Sequence, residues 1–256
     1  MSDIDHIDLR SQRRQQILAF ISHHGYASNR ELCQQFFISE PTIRRELAIL
    51  EQEGLIRRSR GGAAAISDSF LQPIAFRREA MQEEKKQIAQ RAAALVSDGD
   101  ILFIDTSTTA FHMLRFLSNR KDLTVITNSV QVLDYFASQT SSNITCKCTG
   151  GDLSYGSRGL VGSQAERYVA GIRADWMFFS TPCLSSNGRI SDYSEQETYL
   201  RIAMLENTAK PVYLFDSSKY DREAPFTVAK LSQMTYAVSN LEQPETLQGM
   251  CSFLNV

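Results

Sequence analysis

Apolar residues recur at helical spacing three times in the first fifty positions. Ile17, Leu18 and Ile21 are the buried side of a helix predicted from about Arg10 to His24, with Gly25 as its stop. Leu32 and Phe36 mark a second helix, opening on Ser28-Asn-Arg-Glu31. There the Ser hydroxyl and the Glu carboxylate can each accept from the other's backbone N–H. Ile43, Leu47 and Leu50 fall at i, i+4 and i+7 and define a third helix from Ser39 to Leu50. Ser39 is its N-cap, and Pro41 lies in the first turn, where a missing N–H does no harm. Two short apolar segments then flank Ser59-Arg60-Gly61-Gly62, the pattern of a β-hairpin.

Beyond this the pattern changes twice. Residues 67–83 are polar with no clean period and read as a connector between a first domain over 1–66 and a second over 84–256. A helix is expected from about Glu84 to Val96. After it, short β-branched and aromatic runs alternate with helical stretches, which predicts an α/β domain with a Rossmann-like, mainly parallel sheet under covering helices.

The first domain reads as a winged helix-turn-helix. Two short helices joined by a tight turn, followed by a basic hairpin, suit a duplex: one helix enters the major groove and the wing touches backbone or minor groove. Ser39, Thr42, Arg44 and Arg45 lie opposite the apolar stripe of the third helix, and Arg57, Arg58 and Arg60 lie on the hairpin. Arg forks onto guanine, and hydroxyls and guanidinium groups hold phosphate. Charge distribution supports this. The 256-residue chain has a net charge of −2, yet Arg10 to Arg60 holds nine Arg and five Glu, with no Lys or Asp.

In the second domain the strand ends carry the chemistry. The predicted strands stop at Asp105-Thr106-Ser107-Thr108-Thr109, Thr127-Asn128-Ser129, Gly150-Gly151, Ser180-Thr-Pro-Cys183 and Asp216-Ser-Ser-Lys219. In open α/β sheets, ligands sit outside the carboxyl ends of the strands. Small hydroxyl residues entering helices offer donors to an anion. Lys85 and Lys219 can add charge, and Asp105 and Asp216 can accept from sugar hydroxyls, so a phosphorylated small polyol is the expected ligand. No G-x-G-x-x-G or G-x-x-x-x-G-K-[ST] occurs, and neither a dinucleotide nor any other resident cofactor is expected. Cysteines at 33, 146, 148, 183 and 251 form no disulfide framework. Cys146 and Cys148, on one face of a strand, read as packing residues in preference to metal ligands. No apolar run reaches the ~20 residues of a membrane span and the N-terminus is acidic, so a cytoplasmic protein is expected.

These motifs resemble those of the DeoR-type bacterial repressors. Arg13, Ile17 and Ile21, then Ser39, Thr42, Ile43, Arg44, Arg45 and Leu47, match the family's N-terminal signature. Gly54-Leu-Ile-Arg-Arg and Gly61-Gly62-Ala63 are similar to its wing. Glu83-Glu-Lys85, Asp100 to Asp105, Thr108-Thr109, Thr127-Asn128, Gly150-Gly151, Gly162 and Asp216-Ser-Ser-Lys219 follow in family order. Glu46 stands where the family usually has Asp, Ser107 where Gly is common, and the 180–188 segment lacks a usual glycine. The resemblance implies a sensor domain similar in fold to sugar-phosphate isomerases, a phosphorylated sugar as inducer, and a homo-oligomer, dimer or tetramer, on operator DNA. The alternative is an isomerase-like enzyme with a DNA-binding head, for which Asp105 or Glu197 would be the base.

Overall fold

The structure is a computed structural model and describes residues 13–21, 26–52, 55–59, 61–65, 77, 80–139, 143–154 and 156–256. The chain divides into two compact units, Met1–Arg77 and Arg78–Val256. Most of the 67–83 connector lies outside the described residues.

In the first unit, helix α1 covers residues 13–21, α2 is Asn29–Phe36 and α3 is Glu40–Gln52. Ile17, Leu18, Ile21, Leu32, Ile43, Leu47 and Leu50, picked out by periodicity, are buried in one core with Ala27, Ile56 and Ala63, whereas Phe36, picked out with them, is only partly buried against it. The reciprocal cap is formed: Glu31 N–H donates to Ser28 Oγ at 3.2 Å, and Ser28 N–H donates to Glu31 Oε2 at 2.8 Å. The hairpin is β2 (Ile56–Ser59) against β3 (Gly62–Ala65). A strand that periodicity did not foretell, β1 (Tyr26–Ser28), pairs antiparallel with β3 on its other side, Tyr26 opposite Ala64. Three residues are too few to show alternation, so this strand is defined by its partner and not by its own pattern.

In the second unit, α4 (Gln82–Ala93) leads into a parallel sheet. Its strands are β4 (Ile101–Ile104), β5 (Leu123–Thr127), β6 (Ile144–Cys148), β9 (Ala174–Phe179), β12 (Thr208–Phe215), β14 (Tyr236–Ser239) and β15 (Ser252–Asn255), in the order β15-β14-β12-β9-β4-β5-β6. Side chains alternate between two cores. Leu102, Ile104, Trp176, Phe178, Val212 and Leu214 join Ile88, Ala92 and Val132 on one face. Phe103, Met177, Phe179, Tyr213 and Phe215 join Ala165, Val169, Leu200 and Met204 on the other. Such two-sided burial explains why these strands read as continuous apolar runs. The helices on the first face include α5 (Thr108–Phe111), α6 (Leu114–Leu117) and α7 (Val130–Ala137); those on the second are α8 (Ser163–Ala170) and α9 (Glu195–Glu206).

Two antiparallel additions, unannounced by the sequence, sit on this frame. A hairpin joins β7 (Asp152–Ser154) to β8 (Gly159–Val161), and a small sheet pairs β10 (Cys183–Leu184) with β11 (Arg189–Asp192) and β11 with β13 (Phe226–Lys230). From β4 the chain proceeds through β5 to β6 on one side, whereas β9 leads through β12 to β15 on the other. The topological switch point therefore lies between β4 and β9, where Asp105 N–H donates to Phe178 O.

Candidate DNA-binding face and effector rim

The DNA-binding candidates lie on α3 and the hairpin. Ser39 precedes α3, its carbonyl accepts from Thr42 and Ile43 N–H, and its hydroxyl pairs with Thr42 Oγ1 at 2.9 Å. Arg44 and Arg45 are exposed. Arg44 is held on its own helix by Glu40, with Nη2 at 2.7 Å and Nε at 3.0 Å from Oε1. Arg58 is tied to the end of α3, since its N–H donates to Glu51 Oε1 and its guanidinium lies 3.6 Å from Glu51 Oε2. Arg57 sits on β2 opposite Ala64, and Arg60 lies outside the described residues.

One residue there has a role that periodicity missed. Glu46, on the buried side of α3, accepts from Arg13 Nη2 at 2.5 Å and from Arg14 Nε at 2.9 Å. It pins α3 to the first helix. Burial pushes its carboxyl up, but the hydrogen bonds and charges of the two arginines outweigh this and hold it below the ordinary range. A depressed acid stabilises the fold above its unfolded pKa, near 4.3, and loses that contribution as pH falls through the folded value. Glu46→Gln should therefore speed hydrogen exchange of α3 amides at pH 7, by an amount equivalent to about 1–2 kcal/mol because both arginines are partly solvated. The gap from the wild type should shrink below pH 4. A gap that stayed constant would assign the effect to packing.

At the strand ends of the second unit, the candidates divide by what their polar atoms already do. Thr127 Oγ1 donates to Ile104 O at 2.7 Å and accepts from Ser129 N–H, tying β5 to β4. Ser107 and Ser129 cap α5 and α7, accepting from Ala110 and Val132 N–H. Thr108 and Thr109 are buried in the first turn of α5. Gly150 and Gly151 shape the chain reversal: Gly151 has φ +109°, and a Cβ there would meet Val161 O at 2.4 Å. Lys85 is buried on α4, and its ammonium donates to Ala80 O at 2.7 Å. Lys219 closes the 217–219 turn through its N–H to Asp216 O.

Asp105 corrects the expectation of a carboxylate open to sugar hydroxyls. It is buried, its Oδ1 accepts from Ser107 N–H, and its Oδ2 accepts from Arg201 Nε at 2.9 Å. Arg201 also donates to Asp192 Oδ2 at 2.8 Å and Glu197 Oε2 at 2.9 Å, and Thr106 Oγ1 donates to that same Glu197 oxygen at 3.1 Å. One buried guanidinium thus gathers three carboxylates at the switch point. Burial outweighs the Arg201 charge and pushes the Asp105 carboxyl up. The Glu197–Arg201 spacing, i to i+4, was the one legible sign of this cluster.

Two rim acceptors remain open. Asn128 Nδ2 donates to Leu160 O at 3.1 Å, leaving its Oδ1 buried without a hydrogen-bond partner. Asp216 spends Oδ1 on the Ser218 N–H and hydroxyl, leaving its Oδ2 buried and unpartnered. The β7–β8 hairpin leans over the rim beside Asn128. Leu160 N–H donates to Asn128 O at 2.7 Å, and a Cβ on Gly159 would stand 2.4 Å from Thr106 Cγ2.

Among the described residues no three His, Cys, Asp or Glu gather as a metal set, and no helix is long and apolar enough to cross a membrane. Cys146 is half-buried on β6, its thiol pushed up to about 11 by burial and by Cys148.

Comparison with known proteins places both units. Residues 13–69 match the DeoR-like helix-turn-helix domain and residues 80–240 match the DeoR C terminal sensor domain. The glycerol-3-phosphate regulon repressor of Escherichia coli (strain K12) is 28% identical over 235 residues, 92% of each chain. The lactose phosphotransferase system repressor of Staphylococcus aureus (strain N315) is 26% identical over 249 residues, 96% of this chain and 98% of that one. Among solved structures, ribose 5-phosphate isomerase A of Methanocaldococcus jannaschii is similar over 53% of each chain, with 19% identity and a TM-score of 0.39. With both of its units matched, and the sensor model alone covering more than half of its length, the chain belongs to the DeoR family of helix-turn-helix transcriptional regulators.

Proposed function

We propose that this protein is a cytoplasmic repressor that binds operator DNA as a homo-oligomer and releases it when a phosphorylated sugar or polyol occupies the strand-end rim of the sensor unit. The DNA contacts are assigned to Ser39, Thr42, Arg44, Arg45, Arg57, Arg58 and Arg60. The observation that carries the effector reading is the pair of buried, unpartnered acceptors, Asn128 Oδ1 and Asp216 Oδ2, at two strand ends. A buried acceptor left unpaired is costly, and a ligand hydroxyl relieves it. The N-terminus of α7, beside Asn128, favours the phosphate. The names of the relatives, a glycerol-3-phosphate regulon repressor and a lactose phosphotransferase system repressor, agree with this ligand class.

Binding without turnover is the reading favoured over isomerisation. The two carboxylates named above as the base of an isomerase, Asp105 and Glu197, are both engaged by Arg201. Asp216→Asn keeps the acceptor that Ser218 uses and puts an amide N–H donor where the open acceptor oxygen stood. It should leave operator affinity unchanged and raise the effector concentration for half-release at least tenfold, as measured by fluorescence anisotropy. An unchanged half-release point would remove Asp216 from the site.

A further inference from the structure

Next to the rim, where α7 meets the β7–β8 hairpin, a cavity of about 210 Å³ is lined by Phe111, Gln131, Asp134, Tyr135, Ser138 and Arg158. Its volume far exceeds the ~15 Å³ that one water needs. Three observations give it the character of a built site. Gln131 is 9% exposed and its Oε1 is buried with no hydrogen-bond partner, so an acceptor waits in the wall. Phe111 and Tyr135 meet edge to face, with centroids 6.2 Å apart, and supply a rigid aromatic wall. Arg158 is exposed at the hairpin and adopts φ +52°, a conformation that a long side chain takes reluctantly. Its backbone is fixed there because Val130 N–H donates to Arg158 O at 3.0 Å, so the strained arginine is locked against the start of α7. Strain held in place by its surroundings is a pointer to function.

We infer that this cavity is a second small-molecule site, distinct from the rim, for a compact hydroxylated anion held by the Arg158 guanidinium with a hydroxyl donated to Gln131 Oε1. Carboxylate and phosphate monoester share the required chemistry: negative charge for the guanidinium, a donor for the amide oxygen and a CH face for the aromatic wall. Asp134 and Ser138, exposed at the mouth, can receive further hydroxyls. The inference does not depend on the rim reading, because none of the six lining residues is a rim candidate.

The test is saturation-transfer NMR on the full chain with glycerate, gluconate and glycerol 3-phosphate as probes, and with glycerol and acetate as controls lacking the charge or the hydroxyl. At least one probe should bind ten times more tightly than either control. Arg158→Gly, which also relieves the positive φ, and Gln131→Leu, which keeps the volume, should each weaken it at least tenfold with no fall in thermal midpoint. Asp216→Asn should leave it unchanged. Glycerate binding with glycerol 3-phosphate silent would identify a carboxylate ligand, and the reverse a phosphate. Silence from all three probes, binding indifferent to both cavity variants, or equal loss in Asp216→Asn would overturn the proposal; the last would merge the cavity with the rim.

Discussion

Arg201→Met should lower the stability of the sensor unit by about 3–5 kcal/mol, because it strands three carboxylates that share one buried guanidinium. In a unit of this size each kcal/mol moves the thermal midpoint by roughly 2–4 °C, so a fall of about 6–20 °C is expected in calorimetry. The variant should also recover with acid. Burial already raises the Asp105 carboxyl, and without Arg201 protonation becomes the one way to neutralise it. A group with a raised folded pKa favours the fold more as pH falls, so the deficit should shrink between pH 7 and 5. Loss of the guanidinium should also free Asp105 and Thr106, blunting the effector response. A midpoint unchanged at pH 7 would show that the three carboxylates are not ionised together.

Arg45→Ala should weaken operator binding by about 1–3 kcal/mol, a factor of roughly 5 to 150, if its guanidinium reaches a base edge. Arg44→Ala should cost less. Its guanidinium already donates twice to Glu40 Oε1, and engaging DNA means exchanging one partner for another. The corollary is opposite in sign: Glu40→Ala removes a negative charge from the face presented to phosphate and frees Arg44, so operator affinity should rise. Anisotropy titrations at two salt concentrations separate the roles, since a pure phosphate contact weakens random and specific duplexes alike and flattens the salt slope. Equal losses for Arg44 and Arg45 would mean that the Glu40 pairing is abandoned on DNA at no cost.

The helices of the first unit and the parallel strands of the second were legible because each buries a face with its own period. Ile43, Leu47 and Leu50 announce α3, and the apolar run Trp176 to Phe179 announces β9. What escaped was whatever depends on a distant partner. Strand β1 exists through β3, the β7–β8 hairpin through its seat on Asn128, and Glu46 is buried because Arg13 and Arg14 come from another helix to meet it. At the strand ends, the residue pattern located the segments that follow the strands but could not divide their labour. Ser107, Thr127 and Ser129 are occupied in holding the loops, and Asp105 is claimed by an arginine 96 residues away. Only the folded chain distinguishes an aspartate already satisfied from one, such as Asp216, with an oxygen to spare.

On the proposed function, a phosphorylated metabolite bound at the rim loosens the protein's hold on DNA. The direct measurement is fluorescence anisotropy of the full chain on a duplex it has selected from random DNA. The titrants are glycerol 3-phosphate and hexose phosphates, each beside its unphosphorylated counterpart. At least one phosphorylated compound should lower operator affinity tenfold or more, its unphosphorylated form should do nothing, and Asp216→Asn should remove the effect without altering affinity for bare operator. Release driven equally by the unphosphorylated compound, or release undiminished in Asp216→Asn, would contradict it.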